Sequence, residues 1–131
     1  MAPHPSPYKS SGGLKRIANA VRYSMQGLVA ALRYESAFRQ ELLLAAILTP
    51  AAFWVGQNAS QILLLIGSLV LVLIVELLNS AIEAVADAVS LETNQLIGRA
   101  KDLGSAAVFL SLLLCAIVWL VLFANRWLAV I

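Results

Sequence analysis

Charge, cysteine and histidine are all scarce in this chain. Of its 131 residues only 12% are charged and 61% are hydrophobic, with a mean hydropathy of +0.87. A soluble domain carries about a quarter of its residues as charges, so the composition excludes an ordinary soluble fold and marks an integral membrane protein. The single cysteine, Cys115, excludes an intrachain disulfide and any cysteine-cluster metal site; within LSLLLCAIVWL it reads as a small apolar packing residue. The single histidine, His4, falls in MAPHPSPYKSSGG, a Pro-, Ser- and Gly-rich tail over 1–13 that is expected to be disordered, and it reads as a solvated residue, not a ligand. That segment also lacks the continuous apolar core and cleavage site of a signal peptide. A glycine-rich phosphate loop is missing too: GRAKDLG does not have the G-x-x-x-x-G-K-S/T spacing, and no strand precedes it. With no room for a large soluble domain beside the spans, any catalysis has to use side chains on or next to membrane helices.

What charge there is lies unevenly. Six of the nine basic residues, Lys9, Lys15, Arg16, Arg22, Arg33 and Arg39, precede the first long apolar run. From Leu14, apolar residues recur at steps of three and four (Leu14, Ile17, Val21, Met25, Leu28, Leu32), while Lys15, Arg16, Asn19, Arg22, Gln26 and Arg33 share the other side. This predicts a cationic amphipathic helix over about 14–34, lying in the interface as an anchor for anionic lipid heads. Its basic face would also suit a phosphorylated ligand. Three apolar runs follow, predicting spans over about 37–56, 60–90 and 98–125, each near or above the roughly 20 residues a bilayer requires. Pro50 marks a kink or an early exit in the first span. The usual fate of acids such as Glu35 and Glu41, beside arginines at the start of a span, is interfacial ion pairing. The first connection, QNASQ, has no charge, whereas the second carries Arg99 and Lys101. By the positive-inside rule the N-terminus and second connection are cytoplasmic, and the C-terminus with Arg126 is outside.

The second span carries the unusual feature. After the uncharged run Gln61 to Val75 come Glu76, Asn79, Glu83 and Asp87, at steps of three, four and four, which stack side chains on one helix face. A carboxylate inside a membrane helix costs about 3 kcal/mol even on lenient insertion scales, so the stripe needs partners, water or a metal. The predicted topology brings Glu35, the stripe, and Lys101 with Asp102 to one membrane face. Carboxylates from two segments, Glu35 with Glu83 or Asp87, are the ligand type that Mg²⁺ takes alongside phosphate oxygens and water. Lys101 supplies a compact cation for a polyphosphate. Glu76, deeper in the membrane, is placed to accept a proton from a lipid hydroxyl. These are the parts of phosphoryl transfer. An intramembrane acid stripe equally suits proton or ion translocation. The residues alone leave those two readings level, with a purely structural membrane subunit behind them.

Three stretches carry a resemblance. ESAFRQE (Glu35 to Glu41), VELLNSAIEAVADAV (Val75 to Val89) and GRAKDLGSAAV (Gly98 to Val108) are similar to the signature segments of the prokaryotic diacylglycerol kinase family, in order and separation, over about residues 14–125. The resemblance implies an all-α membrane protein of the bacterial inner membrane, with an amphipathic surface helix and three transmembrane helices in one domain over 14–131. It also implies a homotrimer that moves the γ-phosphate of Mg-ATP to diacylglycerol. By the same resemblance Glu76 is the general base, and Glu35 and Glu83 hold the metal with the ATP phosphates. Asn79, Asp87, Lys101 and Asp102 fall on further catalytic positions; Tyr23, Glu92, Lys101 and Asp102 on nucleotide positions; and Arg16, Arg39, Glu76 and Ser105 on lipid-side positions. A related branch phosphorylates undecaprenol instead, and GRAKDLGSAAV is closer to the diacylglycerol branch.

The chain departs from the family pattern at two places. A Glu-x-His-Glu run before GRAKD reads Glu92, Thr93, Asn94, Gln95 here, and Asn19 stands where a lysine is common. Bland alternatives accompany each site residue. Asp87 and Glu92 are solvated residues where the second helix emerges, and Lys101 with Asp102 is a helix-start charge pair worth under about 1 kcal/mol. Gly98, Gly104, Ser105, Ala106 and Ala107 are small residues that let helices approach closely.

Overall fold

In a computed structural model the described residues are 12–89 and 94–128, and they form four α-helices and no strand. The chain divides into two compact units after Tyr34. The first holds α1 (Gly13–Tyr34). Gly12 precedes it at φ 116°, a left-handed conformation open to glycine, and its carbonyl accepts the Arg16 N–H at 3.0 Å to start the helix. The apolar face of α1 is uncovered within this unit: Leu14 is 86% exposed, and Ile17, Val21 and Met25 are each more than half exposed. A cationic helix with such a face is built for the membrane interface.

The second unit is a three-helix bundle of α2 (Ser36–Val55), α3 (Ala59–Val89) and α4 (Gln95–Leu128). All three are long and apolar enough to cross a membrane. At a rise of 1.5 Å per residue, α2 spans about 30 Å, the thickness of the hydrocarbon core. The 31 residues of α3 and 34 of α4 exceed it. Pro50 does not end α2: the helix runs on to Val55, and the hydroxyl of Thr49 donates to the Ala45 carbonyl at 2.7 Å in the preceding turn.

Local chemistry shapes the connections. Gly56 closes α2 by donating to the Ala52 carbonyl at 2.9 Å. Asn58 then caps α3, its side-chain oxygen accepting the Gln61 N–H at 3.0 Å while Gln61 Oε1 accepts the Gln57 N–H at 2.9 Å. The three-residue turn makes α2 and α3 antiparallel neighbours. Asn94 caps α4 by accepting the Leu96 N–H at 2.9 Å.

The bundle packs on a seven-residue repeat. On α3 the buried positions are Leu65, Ser68, Leu69, Val72, Glu76, Asn79 and Ala86, and apart from Ser68 they alternate by four and three once half-buried Glu83 is included. On α4, Gly104 and Ser111 are buried seven apart, with Val108, Cys115 and Val118 half-buried in the same register. On α2, Phe38, Ala45 and Ala52 repeat at sevens. Such seams are those of gently crossing helices, and α3 lies central, packed along both neighbours. Near the α2–α3 turn the seam is apolar: Ala52, Val55 and Leu65 are fully shielded, with Ile66, Val118, Trp119 and Leu122 against them. Trp54, Phe123 and Trp127 add a ring trio at that end, their centroids 6.0–6.3 Å apart. Toward the opposite end the same seam turns polar.

Candidate active site

Glu76 is the first polar residue of that half. It is only 4% exposed, one turn beyond buried Val72. Its carboxyl lies within Coulombic range of three others, Glu35 and Glu41 from α2 and Glu83 from α3. Four carboxyls around one buried position concentrate negative charge where little water reaches, and such a cluster demands a compensating cation or proton.

One turn along α3, Asn79 organises the next acid. Its Nδ2 donates to Glu83 Oε1 at 3.1 Å, whereas its Oδ1 is buried and has no hydrogen-bond partner. That oxygen faces Gly104 of α4, and the missing side chain there is what admits it. Glu83 is half-buried, its carboxylate aimed by this bond. Glu35 is the N-cap residue of α2, with extended backbone at φ −104° and ψ 109°, yet its side chain makes no capping bond. Its carboxylate is therefore not spent on capping the helix.

Asp87 does not continue the buried stripe. The seam steps from Glu83 to buried Ala86, which leaves Asp87 on the exposed flank, where Lys101 Nζ donates to its Oδ1 at 3.2 Å. Lys101 thus pairs with an acid on another helix and not with its neighbour Asp102, and the exposed pair contributes under about 1 kcal/mol. It joins α3 and α4 at the mouth of the site. Asp102 and Ser105 are exposed, and Arg39 is exposed on α2. Arg16 and Tyr23 belong to the α1 unit, where the Arg22 guanidinium lies 5.3 Å from the Tyr23 ring centroid. Glu92 lies outside the described residues. An apolar groove of about 630 Å³ runs between α3 and α4, lined by Leu78, Ile82, Val85, Leu96 and Ile97 among others and by no acid.

Two site residues escaped the sequence reading. Glu41 reads there as a surface ion-pair residue, but it shares the α2 seam with Phe38, three residues before it, and Ala45, four after, and its Oε2 is buried without a hydrogen-bond partner. The seven-residue spacing of Phe38, Ala45 and Ala52 was the available signal. Gly104 was one of several small residues, and only its contact with Asn79 singles it out; at Gly98 an added Cβ would meet nothing within 4 Å.

Among the described residues no group of three His, Cys, Asp or Glu side chains is close enough to form a metal cage. The site is a cluster of acids with Lys101 at its mouth, set in membrane-spanning helices. The sequence pattern of the prokaryotic diacylglycerol kinases matches residues 22–123. This chain belongs to the prokaryotic diacylglycerol kinase family. Among relatives, the diacylglycerol kinase of Pseudomonas aeruginosa is 51% identical over 115 residues, 88% of this chain and 94% of that protein. That of Haemophilus influenzae is 48% identical over 112 residues, 86% and 94% of the two chains. That of Escherichia coli K12 is 47% identical over 115 residues, 88% and 94%. The family match takes in the whole acid cluster, Lys101 and Gly104, whereas Arg16 precedes it.

Proposed function

We propose that this chain is a lipid kinase that transfers the γ-phosphate of Mg-ATP to the free hydroxyl of diacylglycerol, giving phosphatidic acid at the cytoplasmic membrane face. The observation that carries this reading is the buried Glu76 in an apolar membrane helix, at the inner end of an acid cluster that opens toward Lys101. A lipid hydroxyl arriving from the membrane side meets Glu76 first, while a nucleotide arriving from water meets Lys101, Asp87 and Glu83. Glu76 takes the hydroxyl proton as the lipid oxygen bonds to the γ-phosphorus. The bond from that phosphorus to the bridging oxygen breaks, and ADP leaves with the electron pair. Lys101 neutralises charge on the polyphosphate and Asp87 holds the lysine in place.

The donor set suits Mg²⁺, which takes oxygen ligands and keeps much of its shell as water and phosphate, so one or two carboxylates suffice. Glu83, fixed by Asn79, and Glu35, unspent on its helix cap, are those carboxylates. Bound there, the ion supplies neutralisation of the charge that develops on the phosphate oxygens. Asp102 is assigned to the nucleotide, and Arg39 and Ser105 to the lipid; for Tyr23 and Glu92 a nucleotide role, and for Arg16 a lipid role, rest on the family resemblance alone. Three helices enclose the acids incompletely, which favours a homotrimer in which neighbouring copies complete the enclosure. The loop charges favour a cytoplasmic N-terminus and an outer C-terminus.

The test is label transfer from [γ-³²P]ATP with Mg²⁺ to lipid in mixed micelles, with diacylglycerol and undecaprenol offered separately. Labelled phosphatidic acid in excess of labelled undecaprenol is expected. Preference for undecaprenol moves the chain to the other branch, and no labelled lipid from folded protein overturns the kinase reading.

A further inference from the structure

Gly104 is the one described α4 residue whose missing side chain is occupied by a site residue. A Cβ built on it lands on the Asn79 amide oxygen at less than contact distance, 3.4 Å from Asn79 Cγ and 3.6 Å from Ile82 Cδ1. Only the amide oxygen is in conflict, and it is the far end of a side chain, so a methyl at 104 is accommodated by moving that amide while the helices stay packed. The amide is not free to move without consequence. Its Nδ2 is the donor that holds Glu83 Oε1 at 3.1 Å, and its Oδ1, buried without a partner, can lie toward α4 because nothing projects from Gly104. The reversed amide would set Oδ1 against the Glu83 carboxylate, acceptor against acceptor.

We infer that Gly104 is a positioning residue for nucleotide binding: by presenting no side chain to Asn79 it fixes the amide in the one orientation that aims Glu83. The inference rests on the phosphotransfer reading above and adds a residue that touches neither metal nor nucleotide. It separates Gly104 from the small residues that merely permit helix approach, because the cost of filling it falls on Glu83 and not on the packing.

The experiment is a double-mutant cycle of Gly104→Ala and Asn79→Ala, read as Mn²⁺ affinity in the presence of a non-hydrolysable ATP analogue, by electron paramagnetic resonance of free Mn²⁺. Resistance to unfolding in SDS and the two KM values are measured in parallel. Gly104→Ala is expected to weaken Mn²⁺–nucleotide binding about tenfold, the loss carried by one hydrogen bond to a charged group. It should raise the KM for Mg-ATP, and leave the lipid KM and the unfolding midpoint unchanged. In the Asn79→Ala background the added methyl has room and should change nothing further. Equal losses in both backgrounds, or a lowered midpoint with nucleotide affinity intact, make Gly104 a packing residue only and overturn the inference. If Gly104→Ala alone does not fold while the double variant does, the conflict still lies at Asn79. The inference then stands if the double variant binds as Asn79→Ala does, and falls if it binds more weakly. Failure to fold in both backgrounds overturns it. A wild type that binds the Mn²⁺ complex but labels no lipid fails the kinase reading separately.

Discussion

Replacing Asn79 by alanine should separate activity from stability. The side chain does two opposed things: Nδ2 makes a charged hydrogen bond to Glu83 at 3.1 Å, and Oδ1 is buried with no partner. A hydrogen bond to a charged group contributes about 1.5–3 kcal/mol, and a buried polar atom left unpaired costs about 1–3 kcal/mol. Alanine removes both, so their stability effects offset and the SDS unfolding midpoint should move by less than the equivalent of about 1 kcal/mol. No such compensation exists for Glu83, which loses its orienting donor. The kcat/KM for Mg-ATP should fall roughly ten- to hundredfold, the same 1.5–3 kcal/mol expressed as a rate ratio. The assay is steady-state phosphorylation in mixed micelles beside SDS unfolding followed by helicity. A variant that unfolds far more easily yet keeps its kcat/KM would refute the reasoning, since Asn79 would then be a packing residue and the Glu83 bond incidental.

Other substitutions test other parts of the account. Gly56→Ala should cost about 1–3 kcal/mol in SDS unfolding, because an added Cβ would stand 2.6 Å from Ile62 Cγ1 and 3.0–3.1 Å from two backbone atoms that cannot yield; activity per folded molecule should be unchanged, and an unaltered midpoint would contradict the turn geometry. Lys101→Gln should change stability by less than about 1 kcal/mol, as an exposed pair at 3.2 Å implies, while raising the KM for Mg-ATP; an unchanged KM would remove Lys101 from the nucleotide side. Glu41→Gln takes one carboxyl away from the cluster around Glu76 and should raise the unfolding midpoint, and a lowered midpoint would mean that Glu41 is balanced by a cation.

The helical architecture was legible because membrane helices announce themselves by uninterrupted apolar length, and the interfacial helix by its 3.6-residue alternation. Which face of each span points inward was harder to read. In lipid an exposed leucine and a buried one are equally comfortable, and the two buried residues described on α4 are small ones, Gly104 and Ser111, so apolar character does not mark its inner face. The acid stripe stood out against apolar sequence, but a period of 3.6 carried it to Asp87, whereas the packed bundle follows 3.5 and buries Ala86. The same seven-residue repeat drew Glu41 inward when its charged neighbours suggested the surface. Pairing of Lys101 with Asp87, fourteen positions away, depends on how α3 and α4 pack, which local spacing does not encode.

The central claim is that Glu76 is the base that prepares a lipid hydroxyl for phosphoryl transfer, and the measurement that tests it most directly compares label transfer to diacylglycerol by wild type and Glu76→Gln. Glutamine keeps the shape of a residue only 4% exposed and removes its capacity to take a proton. Turnover should drop by about 10²–10⁴-fold, the range of general base catalysis, in a protein whose helicity and unfolding midpoint match the wild type or exceed it. Full turnover in a folded Glu76→Gln protein would contradict the account and move the base elsewhere in the cluster.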